Sequence, residues 1–167
     1  MDVLHFIKSH HDSLREGLAR LTAAEGVKAR RIALEELSRD LQVHLALEKD
    51  YLYPEIGDLF PGGDVLVVAG QASVLVISKR LKTLQKLAVK PAGEQEGWTK
   101  RLVELAEAMQ RHFEQEEQTL MPKMRLLIRT EDREDLGQLF LDVQTEVLTA
   151  LEGETVPQGP GKGRKRA

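Results

Sequence analysis

The sequence predicts an all-α fold, an up-down-up-down four-helix bundle with an additional helix near the C-terminus. Three observations indicate this fold. The composition is rich in residues that favour helices, and aromatic residues make up only 4% of the chain. Apolar residues recur at alternating spacings of three and four, and no segment shows the alternation of a half-buried strand. Short segments rich in Pro and Gly separate the periodic stretches, as expected for antiparallel neighbours.

Length and composition narrow the functional classes. A chain of 167 residues can build one domain with its own core, which we place at residues 1–151. Cysteine is absent, which excludes disulfides, thiolate metal sites and cysteine nucleophiles. The opening residues resemble no signal peptide and no segment has the length of a membrane span, so we expect a soluble, cytoplasmic protein. The net charge of −3 gives no general reason to expect nucleic acid or a membrane as partner.

The first helix is expected to begin after Asp2, a residue type that caps helix N-termini. Its inward positions form a stripe: Leu4, Ile7, His11, Leu14, Leu18 and Leu21. His11 therefore takes the place of an apolar residue. His5 and His10 fall off the stripe and are interpreted as surface residues or as neighbours of a site.

The second helix is predicted from about residue 28 to 53, where a Pro- and Gly-rich segment predicts a turn. Asp64 is expected to open the third helix, the most apolar one. Its inward stripe is Val67, Gln71, Val74, Ile77 or Ser78, Leu81 and Leu84. Gln71 lies level with the histidines of the other helices, so we expect it to border any site built there.

The fourth helix is predicted to begin near Trp98, and Pro122 is expected to end or kink it. A fifth helix, residues 131–151, has an apolar face that packs either on the bundle or on a second subunit: Leu136, Leu139, Phe140, Val143, Val147 and Leu151. Residues 152–167, EGETVPQGPGKGRKRA, are expected to be disordered. Their basic cluster is better interpreted as a solubilising tail than as a contact to nucleic acid or lipid.

Two segments share one arrangement of residues. We call residues 44–56, HLALEKDYLYPEI, the first ligand frame, and residues 112–124, HFEQEEQTLMPKM, the second ligand frame. In each, a His is followed by Glu four residues later, Leu eight later and Pro ten later, with an offset of 68 residues. Positions i and i+4 share one helix face, so each His and Glu can present ligands to the same point. Both pairs continue apolar stripes, and buried carboxylates without a cation are costly.

Nitrogen and carboxylate ligands without thiolate suit Fe, Mn or Zn, and two central carboxylates can bridge a pair of ions about 3.5–4 Å apart. A ferritin-like site would need Glu-x-x-His, which is missing. The repeated pairs therefore favour a metal site in a bundle core. The alternative for each pair alone is a hydrogen-bonded core histidine.

The order of these residues resembles that of the hemerythrin-like HHE cation-binding family, over about residues 4–127. The resemblance implies a four-helix bundle around a non-haem di-iron centre. It also implies binding of dioxygen or, in some members, sensing of oxygen, nitric oxide, redox state or iron. By position, His11 and His44 would hold one iron and His112 the other, and Glu48 and Glu116 would bridge them.

The third helix departs from the family's pattern, because Gln71 stands where the family has His. An amide oxygen is a poorer ligand than imidazole. An asymmetric di-iron site, a site with a single iron or another divalent metal, and a site that has lost its metal all stay open. Tyr51 follows Glu48 by three residues on the inward face, so it is expected either beside the metals, as a hydrogen-bond donor or ligand, or as a core-edge aromatic.

The sequence is compatible with three functions. In the first, a reduced di-iron site binds or senses dioxygen or nitric oxide and signals through the fifth helix or a protein partner, such as a second copy. In the second, an enzyme reduces peroxide or nitric oxide at an opened metal position. In the third, the helices are an interaction scaffold with a degraded site. The ligand set favours the first.

Overall fold

A computed structural model describes residues 1–57, 60–91 and 95–155, and over these residues the chain is helical with no strand. The α-helices are α1 (Val3–Ala23), α2 (Gly26–Leu47), α3 (Tyr53–Ile56), α4 (Gly63–Ala88), α5 (Trp98–Gln115), α6 (Met121–Leu127) and α7 (Thr130–Thr155). Two π-helical turns join α2 to α3 and α5 to α6: Glu48–Leu52, the first π-turn, and Glu116–Leu120, the second π-turn. The all-helical class is confirmed, whereas the up-down-up-down order stays a prediction.

The long helices pack side by side around one core. Helix α1 packs against α2, α4 packs against α5, α2 also contacts α4, and α7 contacts both α1 and α2. The predicted stripes supply the core, with Leu4, Ile7, Leu14, Leu21, Leu37, Leu41, Ile77, Leu81, Leu84, Leu105 and Met109 almost fully buried. Among the helices described, none combines the length and hydropathy needed to cross a bilayer.

Helix α7 packs on the bundle, the first of the two alternatives for its apolar face. Leu136 and Phe140 are buried, and the half-buried Val143, Val147 and Leu151 pack against the core. The helix continues to Thr155, beyond the predicted end at residue 151. The remainder of the predicted disordered tail, residues 156–167, lies outside the described residues.

The start of α7 holds the start of α1 in place. Asp2 caps α1 by accepting a hydrogen bond from the Leu4 N–H at 2.8 Å, as predicted. Its second carboxylate oxygen accepts from Arg133 of α7 at 2.9 Å, and Arg133 also donates to the Ile128 carbonyl at 2.6 Å. These bonds fix the N-terminal turn of the helix that carries His11.

Each π-turn begins at the Glu of a ligand frame. The Tyr53 N–H donates to the Glu48 carbonyl, and the Met121 N–H donates to the Glu116 carbonyl, five residues apart in both cases. The wider turn brings the residue five positions after each Glu onto the face of that Glu. Pro122 lies in the first turn of α6, where proline is tolerated, so the helical path continues beyond it.

Candidate metal centre

Five side chains predicted from the sequence meet in the core. His11 comes from α1, His44 from α2, Glu48 from the first π-turn, His112 from α5 and Glu116 from the second π-turn, and all five are at most 2% exposed. Burying imidazoles and carboxylates in this way is unfavourable unless they are paired or bind a cation.

Each histidine presents its Nε2 atom to a carboxylate oxygen. His44 Nε2 lies 2.8 Å from Glu48 Oε1, His112 Nε2 lies 2.9 Å from Glu48 Oε2, and His11 Nε2 lies 3.3 Å from Glu116 Oε2. Two ligands about 2.1 Å from one octahedral ion lie about 3 Å apart. The spacing of these atoms therefore matches neighbouring ligands of a metal ion.

The hydrogen-bonding state of these atoms tests whether the residues fit a metal. His11, His44, Glu48 and Glu116 each offer a ligand atom, and the four atoms lie within 4.8 Å of one another. His11 Nε2, His44 Nε2, Glu48 Oε1 and Glu116 Oε2 are all buried. They approach one another, at 2.8 Å for His44 and Glu48 and 3.3 Å for His11 and Glu116, without the geometry of a hydrogen bond, and none has another partner among the described residues. Unpaired buried polar atoms are rare and costly. Four that converge on one point fit a cation.

The charges of the metal-free cluster are unevenly distributed. Burial alone would raise the pKa of Glu48, but His44 and His112 hold it well below its usual range. Burial and the neighbouring Glu48 charge raise the pKa of Glu116. Burial opposes protonation of His112, but Glu48 outweighs it and raises the pKa of His112 to about 9. A cation bound at this centre would take the place of these protons.

The two carboxylates differ in what their second oxygens contact. The oxygens of Glu48 face two different histidines, His44 and His112, as a bridging carboxylate requires. Glu116 faces His11 with Oε2, whereas its Oε1 accepts a hydrogen bond from the Tyr53 hydroxyl at 2.7 Å. The first ligand frame therefore supplies a phenol as well as a carboxylate.

Tyr53 enters the core because α4 has no side chain at Gly70. A Cβ atom at Gly70 would lie 2.6 Å from both the Tyr53 hydroxyl oxygen and Cζ, closer than atoms can pack. The prediction that Gln71 faces the site is wrong, because Gln71 is exposed and Gly70 and Val74 face the core. The apolar stripe could not show this register, since glycine carries no hydrophobic signal.

Of the two alternatives for Tyr51, the place beside the metals is wrong and the core-edge aromatic agrees with the structure. Tyr51 is half-buried and packs against the core, and no described contact joins it to the cluster. In a regular helix, Tyr51 would follow Glu48 on the same face, but the first π-turn places Tyr53 there instead. Thr119, the counterpart of Tyr51, is exposed for the same reason. The sequence analysis therefore missed Tyr53.

His11 has a carboxylate on its far side, which the sequence analysis also missed. Its Nδ1 lies 2.8 Å from Glu117 Oε1, which also accepts a bond from Arg15 at 2.8 Å. An Nδ1–H that donates to Glu117 leaves the Nε2 lone pair directed at the cluster. Although burial raises the pKa of Glu117, His11 and Arg15 hold it below its usual value. Glu117 is thus suited to orient His11 for metal binding.

Aromatic rings close the cluster on the side of α1. Phe113 stacks on His11 with ring centroids 4.2 Å apart, and the Arg15 guanidinium lies 5.2 Å from the Phe113 ring centre. His10 is half-buried with its ring 5.8 Å from that of His44, and burial lowers its pKa to about 4. His10 is therefore a neighbour of the cluster, whereas His5 is exposed, and both outcomes agree with the interpretation above.

Comparison with known proteins gives one result. No curated protein and no solved structure matches this chain. The family model described as "Hemerythrin HHE cation binding domain" matches residues 2–124, which include all five side chains of the cluster and both ligand frames. The chain therefore belongs to the hemerythrin HHE cation-binding family.

Proposed function

We propose that the protein binds two iron ions at this cluster and uses them to bind or sense dioxygen or nitric oxide. The observation that carries the proposal is the convergence of four buried atoms from His11, His44, Glu48 and Glu116 that form no hydrogen bond within the part of the chain that the structure describes. Imidazole nitrogen with carboxylate oxygen suits iron, and membership in the family favours it over Mn or Zn.

The proposed ligand sets of the two ions differ. His11, His44, Glu48 Oε1 and Glu116 Oε2 would hold the first ion. His112 and Glu48 Oε2 would hold the second, with Tyr53 and Glu116 Oε1 beside it in place of a third-helix histidine. The second position has fewer imidazoles, so we expect it to bind its ion more weakly and to stay open to a small ligand.

Burial supports a ligand of very few atoms. The five side chains are at most 2% exposed, so a substrate of ordinary size cannot reach them without opening the bundle. A reduced iron pair, when bound, supplies electrons to dioxygen, nitric oxide or peroxide. The Tyr53 hydroxyl lies beside this position, and burial keeps it protonated by raising its pKa. It donates its one proton to Glu116 Oε1, and we propose that it redirects this hydrogen bond to the bound ligand.

Absorption spectra of the iron-loaded, reduced protein test this proposal. Admission of dioxygen or nitric oxide is expected to produce a new near-ultraviolet or visible band, and His44→Ala is expected to abolish both the band and binding of the first ion. Spectra unchanged by both gases would contradict the proposed function.

A second candidate function is reduction of peroxide or nitric oxide at the same centre. Tyr53 favours it, because a buried phenol beside an open metal position can assist O–O or N–O chemistry by donating a hydrogen bond. Many turnovers with a reductant, lost in His112→Ala, would identify an enzyme. Stoichiometric binding without turnover would identify a sensor or carrier.

A further inference from the structure

The outward face of α4 has the properties of a helix–helix interface. Val65, Val68 and Leu75 are 66%, 65% and 69% exposed, and Val76 is 44% exposed. Ala72 is exposed between them. We call Val65, Val68, Ala72, Leu75 and Val76 the α4 stripe. A contiguous apolar patch on a surface marks an interaction site more often than scattered apolar residues do.

The pattern of charge separates the α4 stripe from ordinary helix surface. No charged residue occurs from Val65 to Ser78, although 31% of the whole chain is charged. The spacing of Val65, Val68, Ala72 and Leu75 is three, four and three, the repeat by which two helices pack along a seam. The stripe is therefore patterned for another helix.

We propose that the α4 stripe binds the same stripe of a second copy of this chain, with the two helices antiparallel. An antiparallel pair centred between Val68 and Ala72 sets Val65 against Leu75 and Val68 against Ala72. The small Ala72 lets the two backbones approach each other. A symmetric contact of this kind uses one patch twice, as most homodimers do.

The charges at the two ends of the stripe favour the antiparallel arrangement. The exposed Asp64 stands before Val65, and the exposed Lys79 follows one turn after Leu75. In an antiparallel pair, Asp64 of each copy lies near Lys79 of the other. A parallel pair would bring like charges together at both ends.

Other occupants fit the stripe less well. Residues 156–167, VPQGPGKGRKRA, contain one Val and a cluster of Lys and Arg, which do not complement an apolar, uncharged face. A membrane surface is disfavoured because α4 contains no Trp, Tyr or Phe, the residues enriched where helices meet lipid headgroups.

The mass of the full-length chain in solution tests the proposal. Sedimentation equilibrium over a concentration series is expected to give twice the mass of one chain at the upper end. Leu75→Glu is expected to weaken the dimer more than about tenfold, since the pair would bury an unpaired carboxylate. Leu75 is 69% exposed, so this change leaves the fold intact, as circular dichroism can verify.

The matched control is Val103→Glu, at an apolar residue of α5 that is 49% exposed and outside the stripe. The Val103→Glu variant is expected to form dimers as tightly as the unaltered protein. A single-chain mass at every concentration would overturn the proposal, as would a dimer that Leu75→Glu leaves unchanged.

The antiparallel register has its own test, because the chain contains no cysteine and single thiols can be placed at will. Val65→Cys mixed with Leu75→Cys is expected to oxidise mainly to the mixed disulfide. Each protein alone is expected to cross-link poorly. Efficient cross-linking of each variant with itself, without mixed product, would show a parallel pair and contradict the register.

Discussion

The first and second ligand frames place their His and Glu alike, yet the residues after each Glu do different things. In the first frame, Tyr53 enters the core and binds Glu116, whereas its counterpart Met121 is a buried apolar side chain. In the second frame, Glu117 binds His11, whereas its counterpart Lys49 is exposed. The repeat thus supplies like ligands, and the residues around them make the centre asymmetric.

The two ligand frames therefore contribute different groups to the cluster. The first frame supplies a carboxylate whose two oxygens face two histidines, and a phenol beside it. The second supplies a carboxylate directed at His11 and the group that orients that same histidine.

The largest expected effect comes from pH, through the contact of His112 with Glu48. In the metal-free protein this contact raises the pKa of His112 from 6.5 to about 9. The stabilisation is complete below pH 6.5 and is lost as pH rises through about 9. The free energy of unfolding should therefore fall by up to about 3 kcal/mol over that range.

Denaturant unfolding at a series of pH values measures this fall. His112→Asn, which has no titrating imidazole, should flatten the dependence between pH 6.5 and 9. An equally steep fall in the free energy of unfolding of His112→Asn would show that the contact between His112 and Glu48 does not cause the pH dependence.

Gly70→Ala should have the next largest effect, because the new Cβ would collide with Tyr53. We expect a loss of about 1–3 kcal/mol in the free energy of unfolding, the usual cost of overpacking a core. The matched control combines Gly70→Ala with Tyr53→Leu. Gly70→Ala should lower the free energy of unfolding less in the Tyr53→Leu background than in the unaltered protein. An equal loss in both backgrounds would show that the phenol does not occupy the space beside Gly70.

Glu117→Gln tests the task assigned to the second frame. Removing the carboxylate that orients His11 should weaken metal binding by about 10–100-fold, with little change in the unfolding of the metal-free protein. Lys49→Gln, the same change at the counterpart position, should leave metal affinity unaltered. Anaerobic metal titration measures both affinities. If the two substitutions weaken metal binding equally, Glu117 has no special part in orienting His11.

Tyr53→Phe should have the smallest effect on stability, about 0.5–1.5 kcal/mol for one buried hydrogen bond to Glu116. It should nonetheless change the absorption spectrum of the iron-loaded protein, because the phenol would border the proposed second ion. Tyr51→Phe is the control, since Tyr51 lies two residues away without a described contact to the cluster. Spectra altered equally by both changes would argue against a particular role for Tyr53.

Much of the fold and the cluster could be predicted because both follow helical periodicity. His11, His44, Glu48, His112 and Glu116 continue apolar stripes, so the same spacing that predicts burial also predicts that they meet. The misplacements of Tyr51 and Gln71 have different origins: Gly70 carries no hydrophobic signal that would set the register of α4, whereas Tyr51 lies within a π-turn. A π-turn shifts the helical register of the following residues by about one position, so an analysis that assumes 3.6 residues per turn assigns them to the wrong face.

Two signals could have improved the prediction. Proline ten residues after the His in both ligand frames marks a place where a regular helix loses a hydrogen bond, so a change of register there was foreseeable. Gly70 within the most apolar helix marks a close approach by another group. The contact between His11 and Glu117 joins residues 106 positions apart, and no local pattern encodes it.

We propose that the buried His and Glu side chains form a two-ion centre with unequal positions. Anaerobic titration of the metal-free protein with ferrous iron, followed by measurement of bound iron, tests it most directly. We expect two ions per chain, the second bound more weakly than the first, and Glu48→Ala should weaken the binding of both. One ion or none at saturation, or metal binding that survives Glu48→Ala unchanged, would contradict it.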